Sequence, residues 1–159
     1  MFCEADILCL TDHPELTDRY AQWQHSKWGV SVQDYLDSMD EATRSQSGVP
    51  AWYAVLDDDG NIIAGLGVIE NDFHKRPDLT PNVCAVYVEP AFRGKGLVRR
   101  MMENLCRDMA QMGQTDLFLL TDHTRFYEKL GWQFQEMVQE NGGDFARCYH
   151  ISLEPYFER

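Results

Sequence analysis

Val83-Cys84-Ala85-Val86-Tyr87-Val88-Glu89-Pro90-Ala91-Phe92-Arg93-Gly94-Lys95-Gly96-Leu97-Val98 is the stretch on which the fold turns. Its first six residues are apolar and rich in β-branched side chains, which suits a strand. Pro90 closes that segment, because proline has no amide to give to a ladder. Arg93, Gly94, Lys95 and Gly96 follow, and a helical pattern starts at Leu97. The order is strand, turn, helix start. Glycines let a backbone come close to a ligand, and the unpaired amides and positive dipole end of a helix attract an anion such as a phosphate. Arg93 and Lys95 add positive charge at the same spot. Spacing excludes two common phosphate loops. A Walker loop needs Ser or Thr after Gly-Lys, but Gly96 follows Gly94-Lys95. The dinucleotide fingerprint needs three glycines, and this loop has two.

Working outward toward the N-terminus, Ile7 to Leu10 reads as a short first strand and Thr11-Asp12-His13-Pro14 as a helix start. The helix runs to Lys27 and is stopped by Gly29. Leu16, Tyr20, Trp23 and Trp28 recur along it at helical spacing, which favours a core face over a binding box. Ser31-Val32-Gln33-Asp34 resembles a cap for a second helix, with Tyr35, Leu36 and Met39 on its apolar side and an end near Thr43. Trp52 to Leu56 and Ile62 to Ile69 flank Asp57-Asp58-Asp59-Gly60-Asn61, a strong hairpin signal. The three aspartates lack the spacing of a calcium loop and read as a solvated turn. Residues 70–81 form a polar connection rich in titratable groups, of a length that is often functional.

Toward the C-terminus, Leu97 to Met112 is a helix with Leu97, Met101, Leu105 and Met109 on one side, ended by Gly113. Leu117 to Leu120 is a continuous apolar run, as in a strand covered on both faces. Asp122-His123-Thr124 opens a short helix, Arg125 to Leu130, which Gly131 closes. Trp132 to Val138 and Ala146 to Leu153 make a last hairpin. This order predicts an α/β fold, with a mixed sheet and helices on both faces, as one domain over residues 1–159.

Composition narrows the function. With 26 acids against 14 Lys plus Arg, the formal net charge of the 159-residue chain is -12. A field of that sign repels nucleic acid and anionic lipid and draws in cations. Acidity that serves solubility alone is the plain reading; an active-site mouth that collects cationic amines is the functional one. No apolar run approaches the roughly 20 residues a membrane span needs. Met1-Phe2-Cys3-Glu4-Ala5-Asp6 carries acids where a signal peptide carries cations, which argues for a cytoplasmic protein. Cys3, Cys9, Cys84, Cys106 and Cys148 include no Cys-x-x-Cys pair, the pattern of reduced thiols and of no zinc site.

Arg93-Gly94-Lys95-Gly96-Leu97-Val98 resembles the pyrophosphate loop of the GNAT acyltransferase superfamily, Arg/Gln-x-x-Gly-x-Gly/Ala after a splayed strand. It fits at Arg93 and Gly96 and departs at Val98, where the family prefers a small residue. Thr124-Arg125-Phe126-Tyr127-Glu128-Lys129-Leu130-Gly131-Trp132 resembles a second signature of the same family, Phe/Leu-Tyr-Glu-Lys-x-Gly-Phe/Trp after the fifth strand. The element order matches as well, so the resemblance covers nearly the whole chain. It implies a mostly antiparallel sheet of six to seven strands and acetyl-CoA as co-substrate, without a metal. It also implies a cofactor site at Val86, Val88, Arg93, Gly94, Lys95, Gly96, Leu97 and Val98, and a phenol, Tyr127, near the sulfur of coenzyme A.

Such a site works by direct attack. A thioester is already activated, so the enzyme must supply a neutral amine, a donor for the carbonyl oxygen and a proton for the departing thiolate. By position before the loop, the Val86 amide is assigned as oxyanion donor and Val88 as the partner of the pantetheine arm. Tyr127 is the acid, since a phenol stays protonated at neutral pH. In the resemblance the first two helices cover the acceptor, with Trp28 and Tyr35 as lining residues, and His74 is taken with them as a substrate-binding candidate. For the base, the inward strand positions Thr80, Asn82 and Cys84 offer little, leaving Glu70, Asp72, His74, Asp78, Asp122 and His123. His74 and His123 titrate nearest neutrality, although a lone loop histidine is more often exposed and idle. Cys84 as an acyl-carrying nucleophile ranks low, because buried thiols are commonly inert. The expected activity is acetyl transfer to a primary amine, a small cation ahead of a protein amino group. A non-catalytic acyl-CoA-binding module is the reading from another class, and a homodimer is left open.

Overall fold

The computed structural model describes residues 7–157, so Cys3 and the acidic start read above lie outside the described residues. Seven strands form one sheet: β1 (Ile7–Cys9), β2 (Ala51–Leu56), β3 (Ile62–Ile69), β4 (Asn82–Val88), β5 (Asp116–Thr121), β6 (Gln133–Gln139) and β7 (Phe145–Ser152). Their order across the sheet is β1-β2-β3-β4-β5-β7-β6. All neighbours are antiparallel except β4 and β5. Helices α1 (Thr17–Trp28) and α2 (Val32–Ala42) lie over one face and α3 (Leu97–Gln111) over the other.

Each helix follows from its sequence. The Ser31 hydroxyl accepts the Asp34 amide at 3.1 Å and starts α2, satisfying one of the donors a helix start leaves open. Gly29, at φ 77°, ends α1 in the left-handed conformation. Leu97, Met101, Leu105 and Met109 of α3 are almost fully buried, against Val55, Leu66, Leu117 and Leu119. On the other face, Tyr20 and Ala21 of α1 and Tyr35 and Met39 of α2 pack on Trp52, Ala54 and Cys84. The core therefore has two layers, with the sheet between them.

Two helices differ from expectation. Leu10–Asp12 and Pro14–Leu16 are tight 3-10 turns, and α1 starts only at Thr17. Pro14 removes a donor just where a longer helix would need it. The short helix expected over Arg125–Leu130 shrinks to one 3-10 turn, Glu128–Leu130. The amides of Leu130 and Trp132 both bond the Tyr127 carbonyl, and Gly131, at φ 96°, turns the chain into β6.

The sheet's centre is what positions the site. β4 and β5 are registered only at Asn82 and Phe118, and the Phe118 amide reaches the Pro81 carbonyl at 3.0 Å. Beyond that point the strands part. The β3–β4 ladder shifts register between Gly65 and Gly67, and opposite it Ala85 stands at φ 54°. A bulge of this kind re-aims the strand.

Candidate active site

The Glu89 amide donates to the Ile63 carbonyl of β3 at 2.8 Å. Peptide groups alternate along an extended strand, so those of Val88 and Val86 point the other way, toward the side that β5 has left. The bulge before them is pinned from behind. Gln24 of α1, fully buried, donates from Nε2 to the Ala85 carbonyl at 3.1 Å and to the Tyr20 hydroxyl at 2.9 Å. Tyr20 in turn donates to the Tyr53 carbonyl at 2.8 Å. β3 carries glycine at position 65 because a side-chain carbon there would lie 2.7 Å from the Tyr20 hydroxyl.

The loop after β4 is built for an anion. Gly94 (φ 77°) and Gly96 (φ 75°) take the left-handed conformation that favours glycine, and a carbon added at either would point into open space. Among the described residues no side chain caps the start of α3; its first internal bond is from the Arg100 amide to the Gly96 carbonyl at 3.2 Å. The amides of Leu97 and Val98 are thus left at the positive end of a 15-residue helix. Arg93 turns back from this loop. Its Nε donates to the Val88 carbonyl at 2.8 Å, and its guanidinium lies 5.3 Å from the Tyr87 ring centre. Lys95 lies 5.7 Å from the Phe92 ring centre. Of the two cations expected at the phosphate position, Arg93 instead braces the end of β4.

Where β4 and β5 part, a cavity of about 700 Å³ opens, lined by Val83, Cys84, Ala85 and Val86 on one side and Leu119, Leu120 and Thr121 on the other. Tyr127 enters it from the 3-10 turn, 7 % exposed, its ring edge-on to Phe126 at 5.0 Å between centres. Burial pushes its phenol up to about 12. No hydrogen bond among the described residues uses its hydroxyl. Cys84 lines the same cavity, and burial, with the Asp72 charge adding to it, raises its thiol well above the ordinary range. A thiol so held is a poor nucleophile.

Much of the remaining cavity lining is aromatic and acidic. Trp28 and Tyr35 come from α1 and α2, Phe73 from the loop over residues 70–81, and Asp34, Asp72 and Glu140 stand among them. Trp28 corrects the sequence expectation. It is 50 % exposed at the rim rather than core, because Gly29 ends α1 directly after it, and its ring packs edge-on against Tyr87. His74 corrects it in the opposite sense. It is buried, with Nδ1 accepting the Arg76 amide at 3.1 Å and Nε2 donating to the Asn82 side-chain carbonyl at 2.7 Å. Both ring nitrogens are engaged, so His74 stands behind the wall instead of lining it.

Among the other candidate bases, Asp72, Asp122 and His123 face the cavity. Glu70 and Asp78 do not; Asp78 pairs with Arg76 at 2.9 Å. Sequence reasoning missed Asp34, Phe73 and Glu140, which reach the cavity from three distant segments, and Gln24, whose role depends on the bulge. The only local signal was the polar, titratable character of residues 70–81.

Comparison with known proteins agrees with this geometry. The family model described as Acetyltransferase (GNAT) family matches residues 14–132. Among curated proteins no sequence matches this chain significantly. Solved structures share the fold. An aminoglycoside 6'-N-acetyltransferase complexed with coenzyme A has a TM-score of 0.67 at 17% identity, over 91% of this chain and 94% of that one. A point mutant of the spermidine N-acetyltransferase from Vibrio cholerae has a TM-score of 0.67 at 13% identity, over 96% and 98%. YncA of Salmonella typhimurium, solved with its cofactor acetyl-CoA, has 0.64 at 14%, over 93% and 94%. With both sequence signatures and both parted strands inside the matched residues, the chain belongs to the GNAT family of acetyltransferases.

Proposed function

We propose that this protein transfers the acetyl group of acetyl-CoA to a primary amine of a small cationic molecule, by direct attack in a ternary complex. The observation that carries the reading is continuity. β4, whose open edge from Val83 to Val86 lines a cavity walled by acids and aromatic rings, leads through a short turn into the glycine loop at the start of α3.

The residues fit the co-substrate. Amides over Gly94–Val98 grip the diphosphate, with the open space above Gly94 and Gly96 admitting it closely. Val98 still presents its amide, since only its side chain departs from the family pattern. The Val88 amide pairs with the pantetheine arm, and its carbonyl is already taken by Arg93. The Val86 amide meets the carbonyl oxygen as charge develops there, held in advance by the Gln24-pinned bulge. Tyr127 protonates the leaving sulfur, its phenol kept neutral by burial. The protonated state of Cys84 favours direct attack over an acyl-enzyme.

Three features support a small cation as acceptor. The chain's net charge is -12. The acceptor end presents Asp34, Asp72 and Glu140 beside Trp28, Tyr35 and Phe73, a combination that attracts ammonium groups by charge and by ring faces. Structures of like fold include an aminoglycoside and a spermidine acetyltransferase. Thiol release from acetyl-CoA, followed across a panel of primary amines that includes spermidine and an aminoglycoside, tests the reading. Release with at least one cationic amine is expected. Tight acetyl-CoA binding with no release across the panel would sink it in favour of a binding module.

A further inference from the structure

Asp72 combines features rarely left together in a folded protein. It is half-buried on the cavity wall, yet its carboxylate accepts no hydrogen bond among the described residues. Unpaired carboxylates removed from water are costly, and they concentrate where a charge or a proton is to be received. The other acids of the cavity differ. Asp34 and Asp122 are exposed, and Glu140, half-buried like Asp72, stands on the turn after β6, where its charge is not among those acting on Cys84 and Tyr35.

The position of Asp72 is held firmly although its carboxylate is free. Its amide donates to the Asn82 side-chain carbonyl at 2.8 Å, the same oxygen that receives His74 Nε2. Asn82, fully buried at the start of β4, also donates to the Leu79 carbonyl at 2.7 Å. Asn71 brackets His74 through the amide and carbonyl of that residue, at 2.9 and 3.1 Å. Lys75 bonds the Gln139 carbonyl, and the Asn141 amide bonds Phe73, tying the loop to the β6–β7 turn. The loop is bolted at both ends, and the Asp72 carboxylate, without a hydrogen bond among the described residues, faces the cavity beside Tyr35 and Cys84.

We propose that Asp72 is the proton acceptor for the incoming ammonium group, in the place that Asn82 on the strand cannot fill. This rests on the acetyltransferase reading above. An ammonium carries three protons and the amide product one. Asp72 takes one of the two released, which frees the nitrogen lone pair to form the C–N bond. As the C–S bond breaks, the second reaches the sulfur by way of Tyr127, and Asp72 returns its own to water. Asp72 titrates in the right range for this task. Burial raises its carboxyl to about 6, with His74 opposing the rise and Glu140 adding to it. The groups facing it from packed elements are His74 on its own loop, Glu140 from the β6–β7 turn, Cys84 from β4 and Tyr35 from α2. It is therefore ionised at neutral pH and a stronger base than an ordinary carboxylate.

The test compares wild type with Asp72→Asn, using acetyl-CoA and the spermidine-containing amine panel, from pH 5 to 9. Turnover in the variant is expected to fall by about 100-fold or more, with acetyl-CoA affinity unchanged within about twofold. The wild-type profile should lose activity below about pH 6, and the variant should lack that limb. An active wild type with an equally active Asp72→Asn, or one retaining the limb, overturns the assignment alone; a wild type inactive on every amine overturns the acetyltransferase reading and this step with it. Carboxyl NMR of the folded wild type gives a check that no variant's folding can spoil. A midpoint near 6 for Asp72 supports the assignment, and an ordinary midpoint near 4 overturns it.

Discussion

The two halves proposed for the site are made of different materials. At the half proposed for the coenzyme, the groups offered to a ligand are main-chain amides, of Val86, Val88 and the turn into α3, aimed by a bulge and two left-handed glycines. At the half proposed for the acceptor they are side chains, Trp28, Asp34, Tyr35, Asp72, Phe73 and Glu140, brought from α1, α2, the long loop and the last hairpin. A main-chain site answers to backbone conformation and tolerates most side chains. A side-chain site is edited one residue at a time. The first kind suits a ligand common to a family, and the second suits the ligand that distinguishes its members.

The contrast predicts separable failures. Gly96→Val should do the most damage, because a β-branched residue resists φ 75° and its carbons enter the space above the loop. Calorimetry should register at least about a 100-fold loss of CoA affinity, roughly 3 kcal/mol, in a protein that still folds. Undiminished affinity would mean the loop does not hold the diphosphate. Tyr127→Phe comes next, with turnover down about 10- to 100-fold and CoA affinity within about twofold. Because burial holds this phenol near 12, no alkaline fall in rate below about pH 10 should trace to it. Equal turnover would remove Tyr127 from the chemistry.

At the half proposed for the acceptor, the expected effects on stability and on substrate binding are smaller than these, and one has the opposite sign. Asp72 binds its proton more tightly in the fold, near 6, than in the unfolded chain, near 4. The native state therefore holds the extra proton between those values, and stability falls as pH rises through that window and stays reduced above it. Asp72→Asn should accordingly stabilise the protein at pH 7 by about 1 to 2 kcal/mol, after allowance for partial solvent screening, and by much less at pH 4. Urea melts at both pH values would reveal it; a destabilised variant at pH 7 would contradict the free-carboxylate picture. Glu140→Gln should raise KM for a cationic amine about three- to fivefold and leave kcat near wild type, an effect of about 1 kcal/mol. A loss confined to CoA binding would place Glu140 at the wrong end.

The same contrast explains what could be read from sequence. The succession of elements along the chain, the Asp57–Asn61 hairpin and α3 were legible because periodicity and turn chemistry are local. So was the shape of the glycine loop before α3, since its glycines record the backbone conformation directly. The cavity wall was not. Asp34, Phe73 and Glu140 carry no shared pattern and meet only through long-range folding. Trp28 misled because helical spacing says which face a residue shares, not whether the helix has ended beside it. His74 misled because its partner Asn82 is supplied by the next strand.

The β6–β7 hairpin contributes Glu140 and Ala146 to the acceptor wall and clasps the loop that carries Asp72, yet the family model stops at Trp132, before the hairpin begins. On the acceptor reading proposed above, part of the amine's wall therefore lies outside the residues that the family model matches, although the fold shared with the solved structures extends over it. Exchanging the turn between β6 and β7 is then expected to change which amine is accepted while acetyl-CoA binding stays as it was.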